Sequence, residues 1–269
     1  MKNLFNLDGK NILISGATGV LGTQITSYVA AHGANLFLLG RSEEKLLNLK
    51  SKIPNTQIKI LVADVTDESA LTKVAKELSN EINAIDVMIN LAGGNMPGAV
   101  IRPDQTLEDL DAGALKKVME LNYQGTLLPI KAFLPLLNGG HPVSIINTSS
   151  MAAQRPLTRV MGYSSAKAAI DNLTKWLAVE FAQKYGPNMR VNAIAPGFFL
   201  TEQNRALLTE VNGALTVRGQ QIIAHTPMGR FGEDEDLLGT VHWLASDASK
   251  FVTGVIIPID GGFNAYSGV

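Results

Sequence analysis

Tyr163-Ser164-Ser165-Ala166-Lys167 sets a phenol and an ammonium four residues apart. On a helix that spacing puts both groups on one face. An ammonium beside a phenol favours the phenolate, so Lys167 is expected to lower the Tyr163 pKa toward the working range. Such a tyrosine can protonate a carbonyl oxygen as hydride reaches the carbon, or deprotonate an alcohol in reverse. Tyr-x-x-x-Lys alone is common, and the weight falls on what accompanies it. Ser150 stands thirteen positions upstream, just past an apolar run of strand length. Its hydroxyl is suited to orient a substrate oxygen; the plainer reading of Ser149 and Ser150 is a turn hydroxyl bonded to backbone. Asn122 ends a helical stretch, either as a C-cap or as the holder of a water that leads to Lys167.

A second group of residues is suited to a dinucleotide. Ser15-Gly16-Ala17-Thr18-Gly19-Val20-Leu21-Gly22 lies between the first strand and a helix. Glycines there let the backbone approach a pyrophosphate, and the helix N-terminus supplies amide donors and the positive end of a dipole. No Gly-Lys-Ser/Thr follows, which argues against a nucleotide-triphosphate loop. Gly16, Thr18, Gly19, Val20, Leu21 and Gly22 are therefore cofactor candidates. Asp64 with Val65, past the third strand, is placed to accept a hydrogen bond from an adenine amino group, or to be an ordinary turn aspartate. Asn90, Ala92 and Gly93, at the end of the fourth strand, would let the chain pass close to a ribose. Tyr163 and Lys167 would meet the nicotinamide ribose.

The end of the second strand bears on which dinucleotide. An acidic residue there would bind the ribose hydroxyls of NAD and repel a 2′-phosphate. This chain has Gly40-Arg41-Ser42 instead. Arg41 can pair with a phosphate and Ser42 can add a hydroxyl donor. NADP(H) is favoured, with NAD(H) possible.

These residues need a scaffold that brings strand ends to one edge. Strand-length apolar runs at Asn11–Ser15, Asn35–Leu39, Gln57–Ala63, Asp86–Leu91, Val143–Thr148, Arg190–Ala195 and Val255–Pro258 alternate with helical patterns. Those patterns are Leu21–His32, Glu43–Lys52, Glu68–Ile82, Leu115–Leu121, Gly125–Leu137, Gly162–Lys184 and Asp234–Ala245. The alternation predicts an α/β fold with a parallel sheet and helices on both faces. In such a sheet the carboxyl ends of the strands face the ligand crevice. The 269 residues read as one domain, with a helical insertion around 198–225 over the site.

Composition removes other classes. Net charge is -1, so no basic excess points to nucleic acid or an anionic membrane. There is no cysteine, which excludes thiolate chemistry. The four histidines are scattered, and no metal is expected. No run reaches the roughly 18 apolar residues of a membrane span. The chain starts without a signal-peptide pattern, and a cytoplasmic location is the expectation. The acidic run Glu233–Asp236 reads as the first turn of a helix rather than a metal site. Trp176 and Leu173 read as core.

Taken together, the loop from Gly16 to Gly22, Asp64, Asn90-Leu91-Ala92-Gly93, Asn122, Ser150, Tyr163, Lys167, Pro196-Gly197 and Asp260-Gly261-Gly262 resemble the short-chain dehydrogenase/reductase family over essentially the whole chain. The resemblance implies a doubly wound, Rossmann-like sheet of about seven strands. It implies a catalytic set of Asn122, Ser150, Tyr163 and Lys167, and nicotinamide contacts from Ile194 and the segment Pro196, Gly197, Phe199 and Thr201. It also implies a homotetramer. Three positions depart from the family pattern: Ser15 replaces a usual threonine, Val20 a usual glycine, and Leu91 a usual asparagine. More narrowly, the segments 149–159, 196–205 and 225–232 resemble the bacterial D-mannonate oxidoreductase (fructuronate reductase) branch. That implies interconversion of D-fructuronate and D-mannonate, usually with NAD, which stands against the reading of Arg41.

A sugar acid needs a carboxylate anchor, and a guanidinium matches a carboxylate bidentately. Arg155 and Arg159 lie between Ser150 and Tyr163; Gln203, Asn204 and Arg205 follow the Pro196-Gly197 turn. Asn95 is a further substrate candidate. Each arginine taken singly is as readily a surface or subunit-contact residue. Two other functions stay open: a reductase of a neutral sugar, polyol or oxoacyl group, and a binding protein that senses NAD(P) without turnover. A sensor would not need Asn122, Ser150, Tyr163 and Lys167 all present.

Overall fold

The computed structural model describes residues 3–54, 56–201 and 204–268. Seven strands form one sheet: β1 (Asn11–Ser15), β2 (Asn35–Gly40), β3 (Ile58–Val62), β4 (Val87–Asn90), β5 (Val143–Thr148), β6 (Met189–Pro196) and β7 (Ile256–Ile259). Their order is β3-β2-β1-β4-β5-β6-β7, and every neighbouring pair is parallel. The chain runs outward from β1 to β3 and then returns to place β4 on the other side of β1. At that reversal the connections leave in opposite directions and open a crevice beyond the strand ends.

Alternation along the strands feeds two cores. Ile12 and Ile14 of β1 face one side; Leu13 faces the other. The first side is covered by α1 (Val20–Ala31), α2 (Glu43–Ser51) and α9 (Glu235–Ala245), through Ile25, Leu46 and Val241. The second is covered by α3 (Glu68–Ser79), α5 (Gly125–Leu137) and α6 (Met161–Tyr185), through Leu71, Phe133 and Ile170. Strands covered on both faces read as nearly continuous apolar runs, as these do.

The two expected helices at 115–121 and 125–137 are one run. α4 (Ala112–Met119) passes through a π turn at Glu120–Gln124 straight into α5. The insertion after β6 carries two short helices, α7 (Arg205–Leu208) and α8 (Val217–Ala224). Leu173 is in the core, but Trp176 is 56% exposed, on the outer face of α6. A helix buries only one stripe, here through Ile170, Leu173 and Leu177, and Trp176 lies outside it.

The strand ends are tied by buried polar side chains. The Asn90 amide donates to Asn147 Oδ1 at 3.0 Å, and the Asn147 amide donates to Thr174 Oγ1 at 3.0 Å. Ser15 Oγ donates to Asn90 Oδ1 at 3.5 Å. All four residues are buried, so each bond replaces water that is excluded. The chain of bonds joins β1, β4, β5 and α6 and fixes where their ends meet. Asn147→Ala removes the middle of it and strands Asn90 and Thr174. At roughly 1–3 kcal/mol per unsatisfied group, urea unfolding should show a loss of about 2–4 kcal/mol. A change within experimental error would mean that water replaces the amide.

Candidate active site

Four strand ends surround a cavity of about 360 Å³ at the reversal point. Gly16, Gly19, Val20, Leu21 and Gly22 form its β1 side. Leu91, Gly93 and Gly94 come from β4, Thr148, Ser149 and Ser150 from β5, and Pro196, Gly197, Phe198, Phe199, Thr201 and Asn204 from β6. Tyr163 and Lys167 enter from the first two turns of α6.

Ser150 caps a one-turn helix, Met151–Ala153, and its Oγ accepts from Ala152 N at 3.2 Å. Its hydroxyl also reaches the Tyr163 phenol. Lys167 is 3% exposed; its ammonium donates to the Thr148 carbonyl at 2.7 Å and lies 5.6 Å from the centroid of the Tyr163 ring. Burial pulls the Lys167 pKa down to about 8, against the opposing field of Asp171. Burial pushes the Tyr163 phenol up, and the bond with Ser150 only partly offsets it. This corrects the expectation that Lys167 lowers the phenol. The ammonium is spent on a carbonyl, and desolvation of the phenolate outweighs what a cation at this range returns.

Asn122 is not a C-cap: it stands inside the π turn, wholly buried. Its amide donates to Gly94 O at 2.7 Å and to Val118 O at 2.8 Å, and its Oδ1 accepts from Gly94 N at 3.1 Å. A Cβ at Gly93 would lie 2.7 Å from Asn122 Oδ1 and 3.1 Å from Lys167 Nζ. The glycine is what lets Asn122 and Lys167 approach the same stretch of β4 loop. π turns often mark functional sites because the extra residue re-aims a side chain. Nothing in the apolar periodicity signals this one.

The loop fits a pyrophosphate. Gly16 has φ +70, and a Cβ there would lie 2.6 Å from Ala92 N. A Cβ on Gly22 would lie 2.3 Å from Gly16 O. Gly19 is the N-cap of α1, and no side chain caps it. The first-turn amides of α1 are therefore left to an anion. Gly19 precedes the helix as its N-cap, and Val20 starts it. Thr148 Oγ1 is buried without a hydrogen-bond partner among the described residues.

Other candidates sit behind the wall. Asn90 is buried in the bonds described above, Val65 packs beside Gly125, and Ile194 is fully buried. Thr18 and Ala92 do not line the cavity either; Thr18 is exposed in the loop. Arg41, Ser42 and Asp64 gather beyond the loop, at the ends of β2 and β3. Arg41 is 3.6 Å from the Asp64 carboxylate and 73% exposed. Burial alone would raise the Asp64 pKa, but hydrogen bonds from Thr66 and the Arg41 charge hold it below the ordinary value. Asp64 Oδ1 accepts from Thr66 N at 2.9 Å. Ser42 Oγ caps α2 by accepting from Lys45 N at 3.3 Å.

None of the substrate arginines lines the cavity. Arg155 donates from Nη2 to Asn264 O at 2.7 Å and from Nε at 3.0 Å, which ties its loop to the C-terminal segment. Asn95 bonds its own loop, accepting from Met96 N at 2.9 Å. Arg205 opens α7, whereas Asn204 just before it reaches the cavity. Gln203 lies outside the described residues. Leu91, Gly94 and Thr148 were missed as lining residues; for Gly94 the signal was its place beside Gly93 at a strand end.

The family model described as enoyl-(acyl carrier protein) reductase, of the short-chain alcohol dehydrogenase type, matches residues 16–264. The uncharacterized oxidoreductase UxuB of Bacillus subtilis is 42% identical, over 98% of both chains. A Haemophilus protein solved with bound NAD and provisionally assigned as a D-mannonate oxidoreductase is also 42% identical, with a TM-score of 0.91 over 98% of both chains. A gluconate 5-dehydrogenase from Burkholderia cenocepacia, solved with NADP and tartrate, is 28% identical, with a TM-score of 0.83 over 98% of both chains.

Lys167 gives a pH signature independent of turnover. Its pKa falls from 10.5 in the open chain to about 8 in the folded protein. Between those values the unfolded chain binds a proton that the folded one does not, so this group makes stability rise with pH across that window. Below pH 8 both states carry the proton and the contribution is flat. Urea unfolding of the nucleotide-free protein at pH 7.5, 8.5 and 9.5, for wild type and Lys167→Met, should show this extra rise in wild type only. Parallel curves would show that Lys167 titrates normally.

Proposed function

Because the chain belongs to the short-chain dehydrogenase/reductase family, we propose that it is a reductase interconverting a keto sugar acid and its alcohol, with D-fructuronate and D-mannonate as the pair. The observation that carries the chemistry is the convergence of Ser150, Tyr163 and Lys167 on one cavity beside an uncapped glycine-rich helix start. The family is NAD(P)-dependent, and the dinucleotide supplies a hydride at the nicotinamide when bound. The uncapped amides of α1 would hold the pyrophosphate, and Lys167 would meet the nicotinamide ribose.

The Ser150 hydroxyl bonds the substrate carbonyl oxygen and orients it. Tyr163 transfers its phenolic proton to that oxygen as the carbon gains hydride, so the C=O becomes CH–OH. Lys167 stabilises the phenolate that remains. Asn122, through both polar groups of Gly94, keeps the β4 loop at the distance this requires. Leu91, Phe198 and Phe199, which line the cavity, exclude water from the reacting carbon.

The substrate assignment draws on the Haemophilus neighbour and on the Burkholderia relative solved with a dicarboxylate. The same proposal takes the chain as one nucleotide-binding domain with a substrate-covering segment around 198–225, assembled as a cytoplasmic homotetramer. Among the described residues, no helix is long and apolar enough to cross a membrane. For the cofactor we propose that Arg41 favours NADP(H), since Gly40 presents no carboxylate against a 2′-phosphate. The Haemophilus structure with NAD favours NAD(H) as the second reading.

Three measurements test these assignments. Oxidation of NADPH and NADH should proceed with D-fructuronate and be far slower with D-fructose; equal rates would return the function to a general reductase. Tyr163→Phe should leave cofactor affinity unchanged and lower kcat by roughly 10²–10⁴-fold; wild-type kcat would remove Tyr163 from the chemistry. Arg41→Ala should weaken NADPH about tenfold more than NADH; equal weakening would show that Arg41 does not read the phosphate.

A further inference from the structure

The chain after β7 folds into a tight turn that touches both segments flanking the cavity. The Asp260 carboxylate holds the turn, accepting from Gly262 N at 2.9 Å and from Asn264 N at 2.8 Å. The turn seats on the end of the covering segment, where Met228 N donates to Gly261 O at 3.1 Å. Gly261 has φ +63, and a Cβ there would lie 2.8 Å from Thr226 Cγ2. The backbone of the turn can come this close only because that residue is glycine.

Side chains leave the turn in two directions. Phe263 packs on Phe198 with ring centroids 5.3 Å apart, and Phe198 lines the cavity. Tyr266 lies 6.4 Å from His225, the residue that ends α8. Asn264 instead takes hold of the loop between Ser150 and Tyr163. Its amide donates to Gln154 Oε1 at 2.6 Å. Its carbonyl accepts from Arg155 Nη2 and Nε, and its Oδ1 accepts from Arg155 Nε at 3.3 Å. The Gln154 amide in turn bonds the Asp171 carboxylate, to which Ser149 Oγ also donates. Gln154 and Arg155 are exposed. Changes at exposed positions usually alter folding stability little, so these bonds act on where two segments sit rather than on whether the chain folds.

We propose that Asn264 is a positioning residue, which through the turn Asp260–Tyr266 sets the covering segment against the loop from Ser150 to Tyr163. The two walls then keep one spacing, and a substrate oxygen at Ser150 meets a cavity whose Phe198 side is already in place. This rests on the reductase reading above, and it gives Arg155 the work of a link in place of a carboxylate anchor. Asn264 touches neither substrate nor cofactor in this role; it acts through Gln154 and Arg155 on one side and through the turn on the other.

Amide hydrogen exchange on the nucleotide-free protein tests the coupling without turnover. Gln154→Ala and Asn264→Ala should each speed exchange at 150–160 and also at 217–228. Gln154 meets the turn at Asn264, whereas the end of α8 meets it at Tyr266, so the second effect must cross the turn. Faster exchange confined to 150–160 would overturn the proposal. In turnover, each variant should raise KM for D-fructuronate about two- to tenfold, the worth of one hydrogen bond, with NADPH affinity unchanged. The double variant should do no more than either single one, because both remove the same link. Effects that multiply would show two separate roles and would also overturn it. Should Asn264→Ala fail to fold, Arg155→Lys takes its place, keeping the charge and losing the fork. If wild type does not reduce D-fructuronate, the substrate reading fails, and the exchange data still decide the coupling.

Discussion

Lys167 is a cation where a cation is expensive, and the site is arranged around holding it. Its ammonium has the Thr148 carbonyl at 2.7 Å and the Tyr163 ring beside it. Asp171, one turn further along α6, opposes the effect of burial. Asp171 is itself tied to the Ser149 hydroxyl. The strand end at Thr148–Ser150 is therefore bonded to α6 through both its backbone and its side chains. That fixes Ser150 against Tyr163. On the far side, Gly93 has no Cβ because Asn122 and Lys167 occupy the space one would need. The π turn, the β4 glycines and the end of β5 answer to one constraint: the ammonium must be dry and still bonded.

The same dryness sets the direction in which the proton is held. Burial raises the Tyr163 phenol and lowers Lys167. Both shifts disfavour the charged form, as desolvation must. A phenol that keeps its proton is a donor in waiting, which suits reduction of a carbonyl. Its conjugate base forms only when something stabilises it, and a neighbouring ammonium in a low-dielectric pocket is worth more there than in water. Hydrogen bonds from Ser150 act on the same oxygen. The electrostatics thus store stabilisation for the moment at which charge appears on Tyr163, rather than spending it on the resting state.

Much of this was legible in the sequence because strand ends are. Asn11–Ser15 and Val143–Thr148 read as strands with the bounds they have, since both faces are apolar and turn residues follow. With the strand ends known, parallel topology alone brings Gly16, Gly93, Ser150 and Pro196 to one edge. Asn122 was read for its type but not its place, because a π turn leaves the helical apolar pattern almost unbroken on either side. Asn90 was read as a cofactor residue because of its position, yet its side chain turns into the sheet, where only tertiary contacts decide its partners. The arginines were the hardest. Arg155 is engaged by Asn264, 109 residues away.

The nucleotide preference shows how a residue can point to a ligand and still be moderated by its neighbour. Arg41 lacks the acidic residue that would select NAD, but it faces Asp64 at 3.6 Å. That pair is exposed, so it is weak and its geometry is soft. A 2′-phosphate carries more charge than Asp64 and offers more acceptor oxygens, so it can draw the guanidinium away. Asp64 would then keep its Thr66 bonds, which hold it ionised without Arg41. A ribose with free hydroxyls makes no such demand and leaves the Arg41–Asp64 pair intact. The pair is therefore compatible with NAD and responsive to NADP. Its net selectivity is the phosphate contact less the loss of an exposed ion pair. Because that loss is small, the preference for NADP(H) proposed above depends on the phosphate contact at Arg41 rather than on the ion pair.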